Sequence, residues 1–306
     1  MPDKIETITS RDEMEQLGTK EKFWFYDEQG IKKLFKIGRS GTGENWTEKV
    51  AYDLALLLEL PCAVYEFAKW NSRQGTISTS FVPDGMRLVH GNELLFIVHN
   101  KAYPLNQRYH LSDYKLSIVL NLIENELENL LLPLGYNSNN IVKKPIDLFV
   151  GYLIFDSWIA NQDRHHENWA ILVDTKEVKW YFVPTYDHAA GLGCKVSSEE
   201  AQKRLETKDT NYNVKKFVTR AKSPFYSDDN KQLKTIEVVE ILADKYPDIV
   251  CYWINMIENV SIDNITKILD KVPDNFIANN SADFARQILH ENKVRLVKIR
   301  EEKCDE

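Results

Sequence analysis

The chain has 306 residues, enough for one large domain or for two lobes around a cleft, and 43% of them are hydrophobic, so a sizeable core can form. Its 46 acidic and 39 basic residues leave a net charge of −7, which excludes the broad positive field that draws in a nucleic acid backbone; no direct nucleic acid partner is expected. The four cysteines, Cys62, Cys194, Cys251 and Cys304, are far apart, form neither a metal knuckle nor a dense disulfide framework, and favour a reducing, cytoplasmic setting.

The N-terminal stretch MPDKIETITSRDEMEQ is polar and acidic, unlike a secretion signal. Apolar runs such as Leu54 to Leu58 and Leu148 to Phe155 stop well short of the ~20 residues that span a bilayer, so no membrane association is expected. Phe23 to Asp27 and Lys33 to Ile37 flank Glu28-Gln29-Gly30 and read as a β-hairpin. Asn45 as N-cap, with Glu48 three residues on, predicts a capping box. It opens a helix whose Val50, Leu54, Leu57 and Leu58 recur at helical spacing until Pro61. Ala63 to Phe67, Gly75 to Val82 and Glu93 to Val98 are predicted as further strands.

From Ser112 the pattern turns helical, with Leu116, Val119, Leu120, Ile123 and Leu127 three or four apart. A stronger helix begins near Pro145 and carries Ile146, Phe149, Val150, Leu153, Ile154 and Trp158 on one face. It runs straight into Asn161-Gln162-Asp163-Arg164-His165-His166-Glu167-Asn168. Two short strands follow, Trp169 to Val173 and Val178 to Val183, ending at Tyr186-Asp187-His188-Ala189-Ala190-Gly191. Beyond residue 198 the chain reads as helices, the last from about Ala282 to Glu301. The shift in local structure divides it into a nucleotide-binding lobe over residues 1–105 and a mainly helical catalytic lobe over residues 106–306.

The order of these parts is what phosphoryl transfer from ATP asks for. A loop Asp can accept the proton of an attacking hydroxyl, while a loop Asn and a later Asp offer the oxygen ligands that Mg²⁺ wants. Asp163 is therefore the candidate base, and Asn168 and Asp187 the candidate metal ligands. Arg164 either steadies this loop through a carboxylate or reaches a phosphate, and His165 is best read as fixing the loop. Adjacent His165 and His166, with His188 nearby, lack the ligand spacing of a transition-metal site. In the first lobe, Lys36 on the second hairpin strand and Glu48 on the next helix form the pair that places ATP phosphates, although Glu48 is also the capping residue. The loop before the first strand, with Gly18, Thr19 and Lys20, is best placed to cover phosphates, and Gly38 to Gly43 is a turn into the helix. Neither loop matches the Walker pattern of P-loop enzymes.

The loop Asn161 to Asn168 resembles the Asn-x-Asp-Arg-His-x-x-Asn motif of HipA-like serine/threonine kinases. Thr47-Glu48-Lys49-Val50-Ala51, Leu58-Glu59-Leu60-Pro61, Ser78-Thr79-Ser80-Phe81, Gly91-Asn92-Glu93-Leu94-Leu95 and Tyr186 to Leu192 are similar to other landmarks of that family. The resemblance implies an α+β, two-lobed, protein-kinase-like fold with a small mixed N-lobe and a large helical C-lobe. It implies Mg-ATP as donor, a protein Ser or Thr hydroxyl as acceptor, and an antitoxin-like protein among the partners. It also implies autophosphorylation, for which Ser40 and Thr42 are candidates beside their plainer reading as turn residues. A kinase for a small molecule or lipid head group would use the same residues, and a nucleotide-binding pseudokinase is the remaining alternative.

Overall fold

A computed structural model describes residues 2–9, 12–14, 21–99 and 101–304. Gly18, Thr19 and Lys20, the expected phosphate loop, lie outside the described residues. The first lobe is built on a six-stranded sheet of β1 (Ile5–Thr7), β2 (Glu13–Met14), β3 (Lys22–Tyr26), β4 (Lys32–Ile37), β5 (Tyr65–Trp70) and β6 (Arg73–Thr79). The strand order is β1-β5-β6-β4-β3-β2, antiparallel except for the parallel β1–β5 pair. The β3–β4 hairpin forms where expected, with Asp27 Oδ1 accepting from the backbone N–H groups of Gln29 and Ile31 and Gly30 at φ +75°. Phe23, Phe25, Phe35, Ile37, Ala68 and Ile77 pack together as its own small core.

Helix α1 (Glu44–Leu57) covers the sheet with Trp46, Val50, Ala51, Leu54 and Ala55. The capping box expected at Asn45 does not form. Gly43 is the N-cap, and buried Asn45 instead donates its side-chain amide to Gln74 Oε1 (2.8 Å) and the Phe276 carbonyl (3.1 Å). Glu48 is likewise drawn away from the helix end, as described below. Strand β7 (Met86–His90) is followed by helix α2 (Gly91–Val98), where a strand was expected over Glu93 to Val98. A short apolar run does not distinguish helix from strand by periodicity. Here Glu93 accepts from the His90 backbone N–H (3.2 Å) and starts a helix that buries Leu94 and Leu95.

The second lobe surrounds helix α4 (Pro145–Trp158), which is buried on every side except at Asp147. A helix apolar all round belongs in a core. Before it, α3 (Leu116–Asn121) ends in one π-helical turn at Leu122–Glu126, so the long helix expected there is broken. After it, Ala160 turns left-handed at φ +53° and ends α4, with the Asn161 N–H donating to the Asp156 carbonyl (2.8 Å). Strands β8 (Ala170–Asp174) and β9 (Lys179–Phe182) form the expected hairpin, and β7 completes a three-stranded sheet in the order β7-β8-β9. The rest comprises α5 (Ser198–Glu206), α6 (Val214–Val218), the β10 (Lys222–Tyr226) and β11 (Gln232–Lys234) pair, α7 (Thr235–Lys245), α8 (Pro247–Asn259), α9 (Ile262–Leu269) and α10 (Asn279–Cys304). No helix among the described residues is long and apolar enough to cross a membrane. Cys62 is a free thiol, whereas Cys251 is disulfide-bonded, a pairing that sequence spacing did not suggest.

Candidate active site

One cleft between the lobes is lined by Lys36, Glu44 and Tyr65 from the first lobe and by Asp163, Asn168 and Asp187 from the second. At its head, Lys36 Nζ lies 2.9 Å from Glu48 Oε1 and 3.4 Å from Asp187 Oδ1, so one cation ties strand β4 to helix α1 and to the segment after β9. Burial alone would lower the Lys36 pKa, but the Asp187 and Glu48 carboxylates outweigh it and hold the ammonium well above its ordinary value. Tyr65 on β5 joins the group from below. Its ring centroid is 5.6 Å from Lys36 Nζ, and its hydroxyl accepts from the Asp187 backbone N–H (3.2 Å). That bond fixes Asp187 at φ +59°, a left-handed conformation that a non-glycine residue keeps only where its surroundings impose it. Strand β4 approaches β6 closely here because Gly75 on β6 has no side chain. A Cβ there would lie 2.1 Å from the Lys36 carbonyl oxygen, inside van der Waals contact.

The loop after α4 is held by Arg164. Its Nε and Nη2 donate to Asp156 Oδ2 (2.6 Å) and Oδ1 (2.8 Å), a two-point fork inside the core. Nη1 donates to the carbonyls of Asn168 (2.7 Å) and Tyr186 (3.3 Å), clamping both ends of the site with one guanidinium. Of the two roles open to Arg164, the structure shows the carboxylate partner, and the buried side chain does not line the cleft. Arg164 Nη2 and Thr185 Oγ1 both donate to His188 Nε2, at 3.0 and 2.9 Å, which assigns the neutral ring's proton to Nδ1. Burial, aided by the Arg164 charge, holds His188 well below its usual pKa.

Asp163 stands 27% exposed at the cleft wall, and its backbone carbonyl accepts from Asn168 Nδ2 (2.5 Å). His165 packs beside it with Nε2 3.8 Å from Asp163 Oδ1, and its Nδ1 accepts from the Glu167 N–H (3.2 Å). Burial lowers the pKa of His165 to about 4, so the ring is neutral near pH 7. His166 faces the other way, with its Nδ1 bonded to the Tyr103 hydroxyl (2.7 Å). The three histidines therefore do not converge on a common point.

Several cleft residues were missed in the sequence. Leu34, Phe81, Val82 and Leu88 make an apolar slot beside the polar head, Arg108 Nε pairs with Glu167 Oε2 (2.6 Å), and Tyr109 donates its hydroxyl to Asp163 Oδ1 (2.8 Å). None of these has a local sequence signal. Asp156 had one, as a lone carboxylate late in the apolar run Leu148 to Trp158. The candidate modification residues stand apart from the cleft lining. Ser40 is exposed, and Thr42 donates to the Arg39 carbonyl (2.9 Å) within its own turn.

No protein-family description and no curated protein matches the chain. Solved structures do. The proinflammatory kinase CtkA of Helicobacter pylori superposes with a TM-score of 0.78, covering 100% of this chain and 99% of its own, at 18% identity. HipA of the Shewanella oneidensis MR-1 toxin–antitoxin system, solved with HipB and operator DNA, gives a TM-score of 0.58, covering 96% of this chain and 68% of its own, at 10% identity. The chain has the two-lobed, HipA-like kinase fold. Identity this low leaves little for a sequence comparison to match, while the likeness in fold extends over 96% of this chain or more.

Proposed function

We propose that this chain is an ATP-dependent serine/threonine kinase. The observation that carries the reading is Lys36, bridged between Glu48 and Asp187 at the head of a cleft that Asp163 and Asn168 also line. The apolar slot of Leu34, Phe81, Val82 and Leu88 suits a purine, and Lys36 would orient the phosphates. Asp163 would take the proton of the attacking hydroxyl as the new P–O bond forms. The donor set fits Mg²⁺. The Asn168 amide N–H is spent on the Asp163 carbonyl, which leaves the carboxamide oxygen for a hard cation, and Asp187 supplies carboxylate oxygens. Bound there, the ion would neutralise charge on the triphosphate.

The nucleotide-binding lobe at residues 1–105 and the catalytic lobe at residues 106–306 belong to this proposal, with β7 of the first paired to β8 of the second. So do a protein acceptor, self-modification at Ser40 or Thr42, a cytoplasmic setting, and an antitoxin-like partner suggested by the likeness to HipA. The test is incubation with labelled ATP and Mg²⁺ beside Asp163→Ala and Asp187→Ala, followed by mass spectrometry. Label on Ser or Thr that falls about 10²-fold or more in both variants supports the assignment. ATP binding without transfer to protein moves the acceptor to a small molecule, and absence of ATP binding overturns the proposal.

A further inference from the structure

Between α2 and α3, the chain from Lys101 to Lys115 places Arg108 and Tyr109 in the lining of the cleft. It is anchored by buried Tyr103, by buried Leu111, and by Asn92 Nδ2 donating to the Leu105 carbonyl (3.1 Å). Between these anchors the Arg108 side chain holds Glu167, and Gln107 Nε2 donates to the carbonyls of Tyr109 and His110 (3.3 Å each). The result is one tyrosine aimed inward. Tyr109 packs its ring edge-on against His165 at 5.7 Å and donates its hydroxyl to Asp163 Oδ1 at 2.8 Å. Its hydroxyl thus has the hydrogen bond that a general base makes to the group it deprotonates, within the ordinary reach for such a contact. The side chain is still 54% exposed, so its placement is not a demand of core packing.

We propose that Tyr109 is a phosphoacceptor of this chain itself, modified within the same molecule; the inference rests on the kinase reading above. The phenolic oxygen would attack the γ-phosphorus of ATP, the bond from that phosphorus to the β,γ-bridging oxygen would break, and ADP would leave. The phenolic proton passes to the Asp163 carboxylate and then to water. The product carries about −1.5 to −2 charge, and like-charge repulsion from Asp163 would drive it off the base. Self-modification would therefore clear the acceptor position for an outside substrate. Reach also favours tyrosine here, because a serine on the same backbone would fall several ångströms short of Asp163.

The experiment uses the full chain with ATP and Mg²⁺ over a wide range of protein concentrations, with phosphopeptide mapping and a generic acceptor protein in parallel. Phosphate on Tyr109, gained at a fractional rate independent of protein concentration and absent from Tyr109→Phe and Tyr109→Ser, is the expected result. Tyr109→Phe should still show an ATP-dependent rise in Tm, which establishes that it is folded. An unmodified Tyr109 while the acceptor protein or another residue gains phosphate overturns the inference and leaves the kinase reading standing. A rate that rises with protein concentration overturns the intramolecular geometry. ATP binding without label on any protein overturns the inference and moves the acceptor to a small molecule, and failure to bind ATP overturns both.

Discussion

Arg164→Ala separates a residue that holds the Asn161–Asn168 loop from one that touches phosphate. The guanidinium is 2% exposed and Asp156 3%, and they share two charge-assisted bonds of 2.6 and 2.8 Å. Removing one member of a buried ion pair leaves the other charge uncompensated and costs about 3–5 kcal/mol. At roughly 2–4 °C per kcal/mol for a large domain, Tm should fall by about 6–20 °C. The Asn168 and Tyr186 carbonyls lose their clamp at the same time, so phosphotransfer should fall along with stability. Denaturation of Arg164→Met, Asp156→Leu and the Arg164→Met/Asp156→Leu pair reads the coupling, and the pair should be less destabilised than the two single changes summed. If Arg164→Ala melts like the parent yet loses transfer, Arg164 acts on substrate and the structural argument fails.

Acid should weaken the fold before its carboxylates titrate. Burial lowers His165 and His166 from the ordinary 6.5 to about 4, so the unfolded chain takes up protons below pH 6.5 that the folded chain refuses until about pH 4. Their contribution is complete above pH 6.5 and is lost as pH falls toward 4. The urea midpoint should therefore be lower near pH 5 than near neutrality, and an equal or higher midpoint would show that these rings are not buried neutral. Gly75→Ala would place a methyl 2.1 Å from the Lys36 carbonyl and force β4 and β6 apart, at a cost of about 1–3 kcal/mol. Chemical denaturation and ATP titration should show lower stability and weaker ATP binding together, and parent-like values in both would refute the close strand approach.

Asp163, Asn168 and Asp187 could be picked out from sequence because they come close together by short connections. A loop brings the first two side by side, and one hairpin returns the third. Lys36 and Glu48 were readable for a similar reason, a strand followed directly by a helix. Glu48 also shows the limit, since one glutamate satisfied both a capping pattern and an ion-pair pattern. The buried ammonium of Lys36 decided between them, because an unpaired charge there would cost more than a missing cap. Arg164 sits in the same octapeptide as Asp163 yet turns inward, toward an aspartate eight residues back that is buried in α4.

Local pattern thus determined the polar loop after α4, the β8–β9 hairpin and the lysine-bearing strand β4, because each depends on a few neighbouring residues and on helix or strand periodicity. Only the tertiary structure decided that Arg164 is a clamp, that the segment after β7 is a helix, and that Tyr109 meets Asp163 across 54 positions of sequence. Those outcomes depend on which buried charges must find partners and on where a distant loop is anchored. Both are settled when the lobes pack, and neither leaves a mark on the residues beside it in the chain.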